Sequence, residues 1–308
     1  MGQIRQSITS WLPRGLAAVV LSLLCLELGG CAWLDAKQRQ LALRPTPAIG
    51  ASFDGLRAGD VVLNRTVPGP SDGAPEHVQL WWLPHPDAQA PTLLYLHGSF
   101  RNLFQNLPKI DALREAGFAV VAVDYRGWGE STPIIPSEES IYADARLALD
   151  ELDKRQPNPC KRVIYGHSLG GAVAVELASQ LKSGTDYAAL ILESTFTSLP
   201  DVSAAAGFWG SIGAMLTTLS FDARSKIGQV DAPILMLHGE LDRTVPVDVG
   251  RQLRDAAPSG TRWVEISGGS HSRLHSYAAQ TYRQEMRGLI AQIQSRAAAG
   301  CGKSGTSQ

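Results

Sequence analysis

The chain has 308 residues, of which 44% are hydrophobic and 19% are charged, and this length and composition suffice for one globular domain with a sizeable core. Its 28 basic and 29 acidic residues leave a net charge of -1 at pH 7. Because nucleic-acid binding needs a surplus of positive charge to neutralise phosphates, this balance argues against a nucleic-acid partner.

The first thirty residues differ in character from the rest of the chain. Arg5 and Arg14 precede an apolar run over residues 15–28, and the run ends in Leu-Gly-Gly-Cys at residues 28–31. A charged start, an apolar core and small residues before a cleavage site are typical of a secretory signal. The last four of these residues resemble the lipobox of bacterial lipoproteins, in which the cysteine receives a lipid.

By this resemblance, residues 1–30 are a signal peptide, Cys31 is lipidated and residues 31–57 are a tether. The expected location is the cell envelope, where the lipid on Cys31 holds the protein on a bacterial membrane facing the periplasm or the exterior. An uncleaved membrane helix is the alternative. It is disfavoured because the apolar run is shorter than the roughly 20 residues that span a bilayer, and Glu27 lies near its end.

Residues 58–298 alternate between β-branched apolar runs and amphipathic stretches, which predicts an α/β domain with a mainly parallel sheet of about eight strands and helices on both faces. The first two strands are expected to form an antiparallel pair. The predicted strands cover residues 60–66, 78–83, 92–96, 119–123, 162–165, 189–192, 234–237 and 263–266. The predicted helices cover residues 103–116, 139–155, 169–182, 246–256 and 273–297. Residues 196–228 are interpreted as a short apolar cap, with an ordinary crossover helix as the alternative, and residues 299–308 as a disordered tail.

A Gly-x-Ser-x-Gly pattern lies at residues 166–170, directly after a predicted strand. The pattern alone is weak. Here, however, it stands between a strand and an amphipathic helix, the strand-turn-helix that a nucleophile elbow requires. Ser168 is therefore the candidate nucleophile, in a strained turn that needs small neighbours at Gly166 and Gly170.

A serine hydroxyl needs a base to remove its proton and a carboxylate to orient that base. Of the seven histidines, His271 follows the last predicted strand in a Ser-Gly-Gly-Ser loop, whereas His275 already belongs to the next helix. Asp242, in the loop after the preceding strand, is the candidate acid, with Glu240 as its competitor. Such loops beyond the carboxyl ends of parallel strands form the ligand crevice of open α/β sheets.

Acyl transfer also needs donors for the oxyanion, usually two backbone N–H groups. Leu169, immediately after the candidate nucleophile, supplies one candidate amide. Ser99, in the loop after the predicted strand 92–96, supplies the other, because Gly98 allows the backbone to turn inward there.

Together these segments resemble the α/β-hydrolase superfamily in order and spacing. The matching motifs are Tyr-Leu-His-Gly at 95–98, Asp-Tyr-Arg-Gly-Trp-Gly-Glu-Ser at 124–131, Gly-His-Ser-Leu-Gly-Gly at 166–171, His-Gly-x-x-Asp-x-x-Val-Pro at 238–246 and Gly-Ser-His at 269–271. Residues 192–198 and the short cap are similar to the small α/β-hydrolase-domain and serine-aminopeptidase-like subgroup. The resemblance implies an α/β-hydrolase fold, a triad of Ser168, Asp242 and His271, a wide range of acyl substrates and no cofactor.

The expected reaction is hydrolysis of a small acyl substrate, a carboxylic ester or a thioester, through an acyl-enzyme on Ser168. Alternatives are a serine aminopeptidase or amidase, for which Asp201 and Asp222 offer acids near the cap, and a non-catalytic envelope-anchored binding protein on the same fold. No metal site is expected: His271 and His275 are four residues apart, but no Glu stands at the spacing of metalloproteases.

Four cysteines remain to be placed. Loss of the signal would remove Cys25 and lipidation would use Cys31, which leaves Cys160 and Cys301. Both are expected at the same end of the sheet, where an oxidising compartment would allow a disulfide. Two unrelated thiols are the alternative, because the sequence does not fix the separation that a bridge requires.

Overall fold

The computed structural model of the chain describes residues 30, 32–47, 55–69, 73–205 and 217–301. Eight strands in this part of the chain form one sheet in the order β1-β2-β4-β3-β5-β6-β7-β8. They are β1 (Val61–Val67), β2 (Glu76–Leu83), β3 (Thr92–Leu96), β4 (Ala119–Asp124), β5 (Arg162–His167), β6 (Ala189–Glu193), β7 (Ile234–Gly239) and β8 (Arg262–Ile266). β2 is antiparallel to β1 and β4, and all other neighbours are parallel. The predicted α/β class with a mainly parallel sheet of about eight strands is confirmed.

The helices lie before, between and after these strands. They are α1 (residues 32–43), α2 (Leu103–Ala116), α3 (Glu138–Arg155), α4 (Leu169–Ala178), α5 (Leu199–Ala205), α6 (Arg224–Ile227), α7 (Val247–Ala256), α8 (Leu274–Tyr277) and α9 (Ala279–Ala298). Local sequence determines where α2 and α3 begin, because the side chains of Asn102 and Ser137 each accept a backbone N–H bond of the first turn in a capping box. The predicted helix 273–297 is divided into α8 and α9 at Ala278.

Two apolar layers enclose the sheet, one on each face. Since side chains alternate along a strand, Leu94 and Leu96 of β3 pack with α3, α4 and α7 on one face. Leu93 and Tyr95 of the same strand pack with α2 and α9 on the other. The continuous apolar runs of the parallel strands thus reflect burial on both faces.

The described part of the predicted tether 31–57 packs against the domain instead of extending from it. Leu43, at the end of α1, is fully buried in the layer that contains α3 and α4. The carbonyl oxygen of Thr46 accepts the N–H of Gly129 at 2.9 Å, and Pro47 forms an isolated bridge with Gly129. The burial of Leu43 and these backbone contacts hold the segment against the domain. Its polar composition alone indicates a linker.

Several predictions fall on residues outside the described part of the chain: most of the signal peptide (1–29), Cys31, the centre of the cap (206–216) and the end of the tail (302–308). The described flanks of the cap contain α5 and α6. Within the described ranges, no helix is long and apolar enough to cross a bilayer.

Candidate active site

Ser168 occupies the sharp turn between β5 and α4, at the carboxyl end of the sheet. Its backbone has φ 54° and ψ -120°, a combination that L-residues adopt only at an energetic cost. The Ser168 N–H donates to the Glu193 carbonyl at 2.9 Å, and its own carbonyl accepts the N–H of Gly171 at 2.9 Å. β6 on one side and the first turn of α4 on the other therefore hold the strained turn in place.

Two glycines make this turn sterically possible. A Cβ on Gly166 would overlap the carbonyl oxygen of Gly170, and a Cβ on Gly170 would overlap the carbonyl oxygen of Leu96 at the end of β3. Both positions thus allow the close backbone approach that places Ser168 above the sheet.

His271, in the loop after β8, is joined to Asp242, in the loop after β7. The Nδ1 of His271 lies 2.7 Å from Oδ2 of Asp242, and both side chains are buried. The Nε2 of His271 is also buried and has no hydrogen-bond partner among the described residues. An imidazole whose Nδ1–H is bound to a carboxylate keeps Nε2 as a proton acceptor.

The Asp242 carboxylate is stabilised in its ionised form. Its Oδ1 accepts the backbone N–H groups of Thr244 at 2.9 Å and Val245 at 2.8 Å. Burial acts to raise the pKa of Asp242, but the hydrogen bond and charge of His271, together with the Val245 N–H, hold that pKa below its ordinary value. Asp242 can therefore orient His271 as an anion.

Two further histidines support this pair. His167 donates from Nε2 to the backbone carbonyl of His271 at 3.0 Å, and His238 donates from Nε2 to the carbonyl of Val245 at 2.9 Å. Burial lowers the pKa of both, which for His167 is lowered further by the charge of Lys109. Both side chains are thus neutral donors that fix the two loops carrying the His271–Asp242 pair.

A small cavity of about 20 Å³ contains both Ser168 and His271 in its wall. Gly98 belongs to the same wall, and a Cβ there would lie 3.1 Å from Cβ of Ser168, so the loop after β3 packs directly on the serine. Ser99, the next residue, is buried, and its carbonyl accepts the indole N–H of Trp128 at 2.9 Å. Leu169 stands at the first position of α4, where a helix N–H has no intrahelical acceptor.

The competing candidates are placed differently. Glu240 accepts bonds from Ser267 at 2.7 Å and from the N–H of Gly268 at 3.0 Å, so it stabilises the loop before His271 without binding the imidazole. His275 lies on α8, and its Nδ1 has no partner among the described residues. Among these candidates, His271 and Asp242 are thus the histidine and the acid that bind each other.

Comparison with known proteins supports the resemblance found in the motifs. A family described as serine aminopeptidase S33 matches residues 88–221. The chain is 31% identical over 265 residues to an uncharacterized protein of Mycobacterium tuberculosis, covering 85% of this chain and 90% of that protein. It is 33% identical over 192 residues to the lysophosphatidylserine lipase ABHD12 of Danio rerio, covering 58% of this chain and 50% of the lipase. The match thus spans about half the length of that lipase.

Among solved structures, an esterase of Pyrococcus furiosus superposes with a TM-score of 0.63 at 14% identity, covering 81% of this chain and 97% of the esterase. The chain belongs to the α/β-hydrolase superfamily. It is a hydrolase by family, and its sheet carries the motifs of the superfamily at the expected strand ends.

In this α/β-hydrolase, the structure gathers the predicted Ser168, Asp242 and His271 at the carboxyl ends of β5, β7 and β8, with the predicted Ser99 and Leu169 beside Ser168. At the opposite end of the sheet, Cys160 and Cys301 form a disulfide with a Cα–Cα distance of 6.0 Å.

A buried ion pair beneath the site of the hydrolase was not predicted from the sequence. Lys109 of α2 binds Oε1 of Glu193 at the end of β6, and both side chains are almost fully buried. The hydroxyls of Tyr165 and Tyr282 donate to Oε2 of Glu193. Burial acts to raise the pKa of Glu193, but the charge of Lys109 holds it below its ordinary value. The pair links α2 to the strand that supports the Ser168 turn, across a separation of 84 residues.

Proposed function

We propose that this α/β-hydrolase is a serine esterase that cleaves carboxylic esters through an acyl-enzyme on Ser168. One observation carries the proposal: a serine in a strained strand-helix turn shares a cavity with a histidine that is bound to a buried, ionised aspartate. This arrangement supplies a nucleophile, a base and an orienting acid.

The proposed reaction has two steps. In the first, Oγ of Ser168 attacks the ester carbonyl carbon and its proton passes to Nε2 of His271. The tetrahedral oxyanion is stabilised by the N–H groups of Leu169 and Ser99. The C–O bond to the alcohol then breaks, and His271 returns the proton to the leaving alcohol. In the second step, water attacks the acyl-enzyme with His271 as base and releases the acid and free Ser168.

An ester fits the site better than a peptide with a free amino terminus, although the matching family is described as serine aminopeptidase. An aminopeptidase needs a carboxylate to bind the substrate ammonium group. The walls of the Ser168 cavity and of the neighbouring cavity at Lys109 contain no Asp or Glu within the described chain. The cap centre, residues 206–216, contains no acidic residue in its sequence either. The relative in Danio rerio is named for hydrolysis of a lipid ester.

Active-site labelling tests the proposal. A fluorophosphonate probe is expected to label the wild-type protein and to leave Ser168→Ala unlabelled, because the probe reacts only with an activated serine. Thr197→Ala is a suitable control, since Thr197 is buried near the same end of the sheet but outside the cavity wall. Equal labelling of wild type and Ser168→Ala, or no labelling of a folded wild type, would contradict the proposal. p-Nitrophenyl esters and aminoacyl p-nitroanilides then compare ester with amide cleavage directly.

We further propose that the enzyme is a lipoprotein of the bacterial cell envelope, attached to the membrane through Cys31. The support is the lipobox-like sequence at residues 28–31 after a charged and apolar segment. Metabolic labelling with an alkyne analogue of palmitate is expected to mark the wild type and Cys25→Ser but not Cys31→Ser. Cys25 is a matched control because it lies in the same apolar run. Undiminished labelling of Cys31→Ser would refute the anchor.

A further inference from the structure

A second, larger cavity adjoins the Ser168 cavity. Its volume is about 290 Å³, whereas the cavity over the serine measures about 20 Å³. Arg101, Asn106 and Ser272 belong to the walls of both. A substrate group bound in the larger cavity would therefore lie next to a carbonyl carbon held at Ser168.

The larger cavity is positively charged. Arg101 and Arg273 are exposed in its wall, and within the described part of the chain neither guanidinium group has a hydrogen-bond or ion-pair partner. Since no acidic residue lies in the described wall, the charge of the two arginines is not neutralised locally.

The same wall also contains Lys109 and His275, both of which have buried polar atoms. Lys109 has its charge balanced by Glu193 beneath the cavity. His275 has a buried Nδ1 that lacks a hydrogen-bond partner among the described residues, and an unpaired buried nitrogen of this kind costs free energy unless a ligand or water binds it. Burial, reinforced by the charge of Lys109, lowers the pKa of His275, so the ring is neutral. A neutral imidazole can donate one hydrogen bond to an acceptor oxygen.

We propose that this cavity binds a phosphate or carboxylate group carried by the alcohol part of the ester substrate, through Arg101, Arg273 and His275. The inference rests on the proposed esterase function of Ser168 and specifies its substrate class. The alcohol part is favoured over the acyl part because an acyl chain gains free energy only in apolar surroundings. Guanidinium groups, by contrast, bind planar or tetrahedral oxyanions through two parallel hydrogen bonds.

A matched pair of substrates tests the proposal. 1-Octanoylglycerol and 1-octanoylglycerol 3-phosphate have the same acyl chain and ester bond and differ only in the phosphate. The wild type is expected to prefer the phosphorylated ester by about tenfold or more in kcat/KM, through a lower KM. In Arg101→Gln/Arg273→Gln this ratio should fall by about tenfold. Arg287→Gln on α9, an exposed arginine that belongs to neither cavity wall, should retain the wild-type ratio. A ratio near one in the wild type, or an unchanged ratio in the double variant, would overturn the proposal.

Binding to the non-hydrolysing Ser168→Ala protein separates this inference from the esterase proposal. Calorimetry is expected to show tighter binding of 1-octanoylglycerol 3-phosphate than of 1-octanoylglycerol, and the preference should disappear when Arg101→Gln and Arg273→Gln are added. Equal binding of the two esters would refute the anion site even if the esterase is active. Inorganic phosphate distinguishes a free anion from a substrate group: if it binds as tightly as the phosphorylated ester, the cavity is a site for free phosphate and the substrate assignment is wrong. If the wild type cleaves neither ester and fails to react with fluorophosphonate, the esterase proposal itself fails.

Discussion

At the scale of single residues, the position of Ser168 in the sharp turn costs backbone strain. Its φ of 54° and ψ of -120° lie in a region that costs a non-glycine residue about 1–3 kcal/mol. Ser168→Gly relieves this strain but adds up to about 1 kcal/mol of unfolded-state entropy. We expect Ser168→Gly to be more stable than Ser168→Ala by about 1 kcal/mol in urea unfolding, with both variants inactive. A Ser168→Gly variant that is less stable than Ser168→Ala would show that the turn is relaxed.

Asp242 permits a test of the orienting role at the same scale. In Asp242→Asn the amide NH₂ can face Nδ1 of His271, which places the imidazole proton on Nε2 and removes the base. A loss of about 10³–10⁴ in kcat is expected on a soluble ester, with the fold retained. Glu240→Gln is the matched control, because Glu240 lies in the same loop and binds Ser267 instead. A loss in the control as large as in Asp242→Asn would assign the effect to the loop and not to the carboxylate.

At the scale of elements, the strands were predictable because their apolar runs are local. β3 has the predicted bounds, whereas β5 continues to His167 and β6 to Glu193. These last residues still pair in register, His167 with Glu193, because the backbone ladder does not require apolar side chains. A pattern of hydrophobic residues therefore ends before the strand does, at the point where polar residues of the site begin.

The pairing of Asp242 with His271 was also predictable, since both follow parallel strands whose carboxyl ends meet at one edge. The contacts that support this pair were not. His167 binds the carbonyl of His271 across 104 residues, and Lys109 reaches Glu193 across 84. No periodicity or motif spacing encodes such polar contacts, which exist only once the elements are packed. The same reason explains why the packing of α1 was missed.

Helix α1 allows a direct test of its contribution to the domain. Leu43 is fully buried, whereas Leu41, two residues earlier on the same helix, is 73% exposed. Leu43→Ala is expected to lower the free energy of unfolding by about 2–5 kcal/mol, because it leaves a cavity beside α3 and α4. Leu41→Ala should change it by less than about 0.5 kcal/mol. Similar small effects of the two substitutions in urea unfolding would mean that α1 does not pack on the domain in solution.

At the scale of the whole molecule, the disulfide fastens the C-terminal end of α9 to the chain just before β5. Cys160 and Cys301 are 141 residues apart, so the bridge restricts a large loop of the unfolded chain. Peptide mapping without reduction should recover a linked Cys160–Cys301 peptide from protein made in an oxidising compartment. Cys301→Ser and the reduced wild type should both lose about 2–5 kcal/mol of stability. Free thiols at both positions in the folded, unreduced protein would contradict the bridge.

The dependence of stability on pH also belongs to the molecule as a whole, since it depends on buried histidines from separate elements. Burial lowers the pKa of His167 and of His238. Below about pH 6.5 the unfolded chain therefore binds protons at these histidines that the folded protein does not bind. Their stabilisation is therefore complete above that pH and is lost as the pH falls, by up to about 1.4 kcal/mol per pH unit for each histidine. The pKa values of Asp242 and Glu193 are also lowered. The stabilisation that these two carboxylates contribute is therefore lost only at lower pH, below the ordinary carboxylate range.

Urea unfolding between pH 8 and pH 5 measures how steeply the free energy of unfolding falls with pH. We expect a slope of up to about 1.4 kcal/mol per pH unit for each of the two histidines. His167→Gln keeps an amide donor for the His271 carbonyl but removes one titrating group. We expect this variant to unfold with a shallower loss of stability on acidification, by up to about one proton in the linkage slope. A slope identical to that of the wild type would mean that the His167 ring can take up a proton in the folded state. The bond from His167 to the His271 carbonyl would then not depend on a neutral imidazole, because a protonated ring also donates from Nε2.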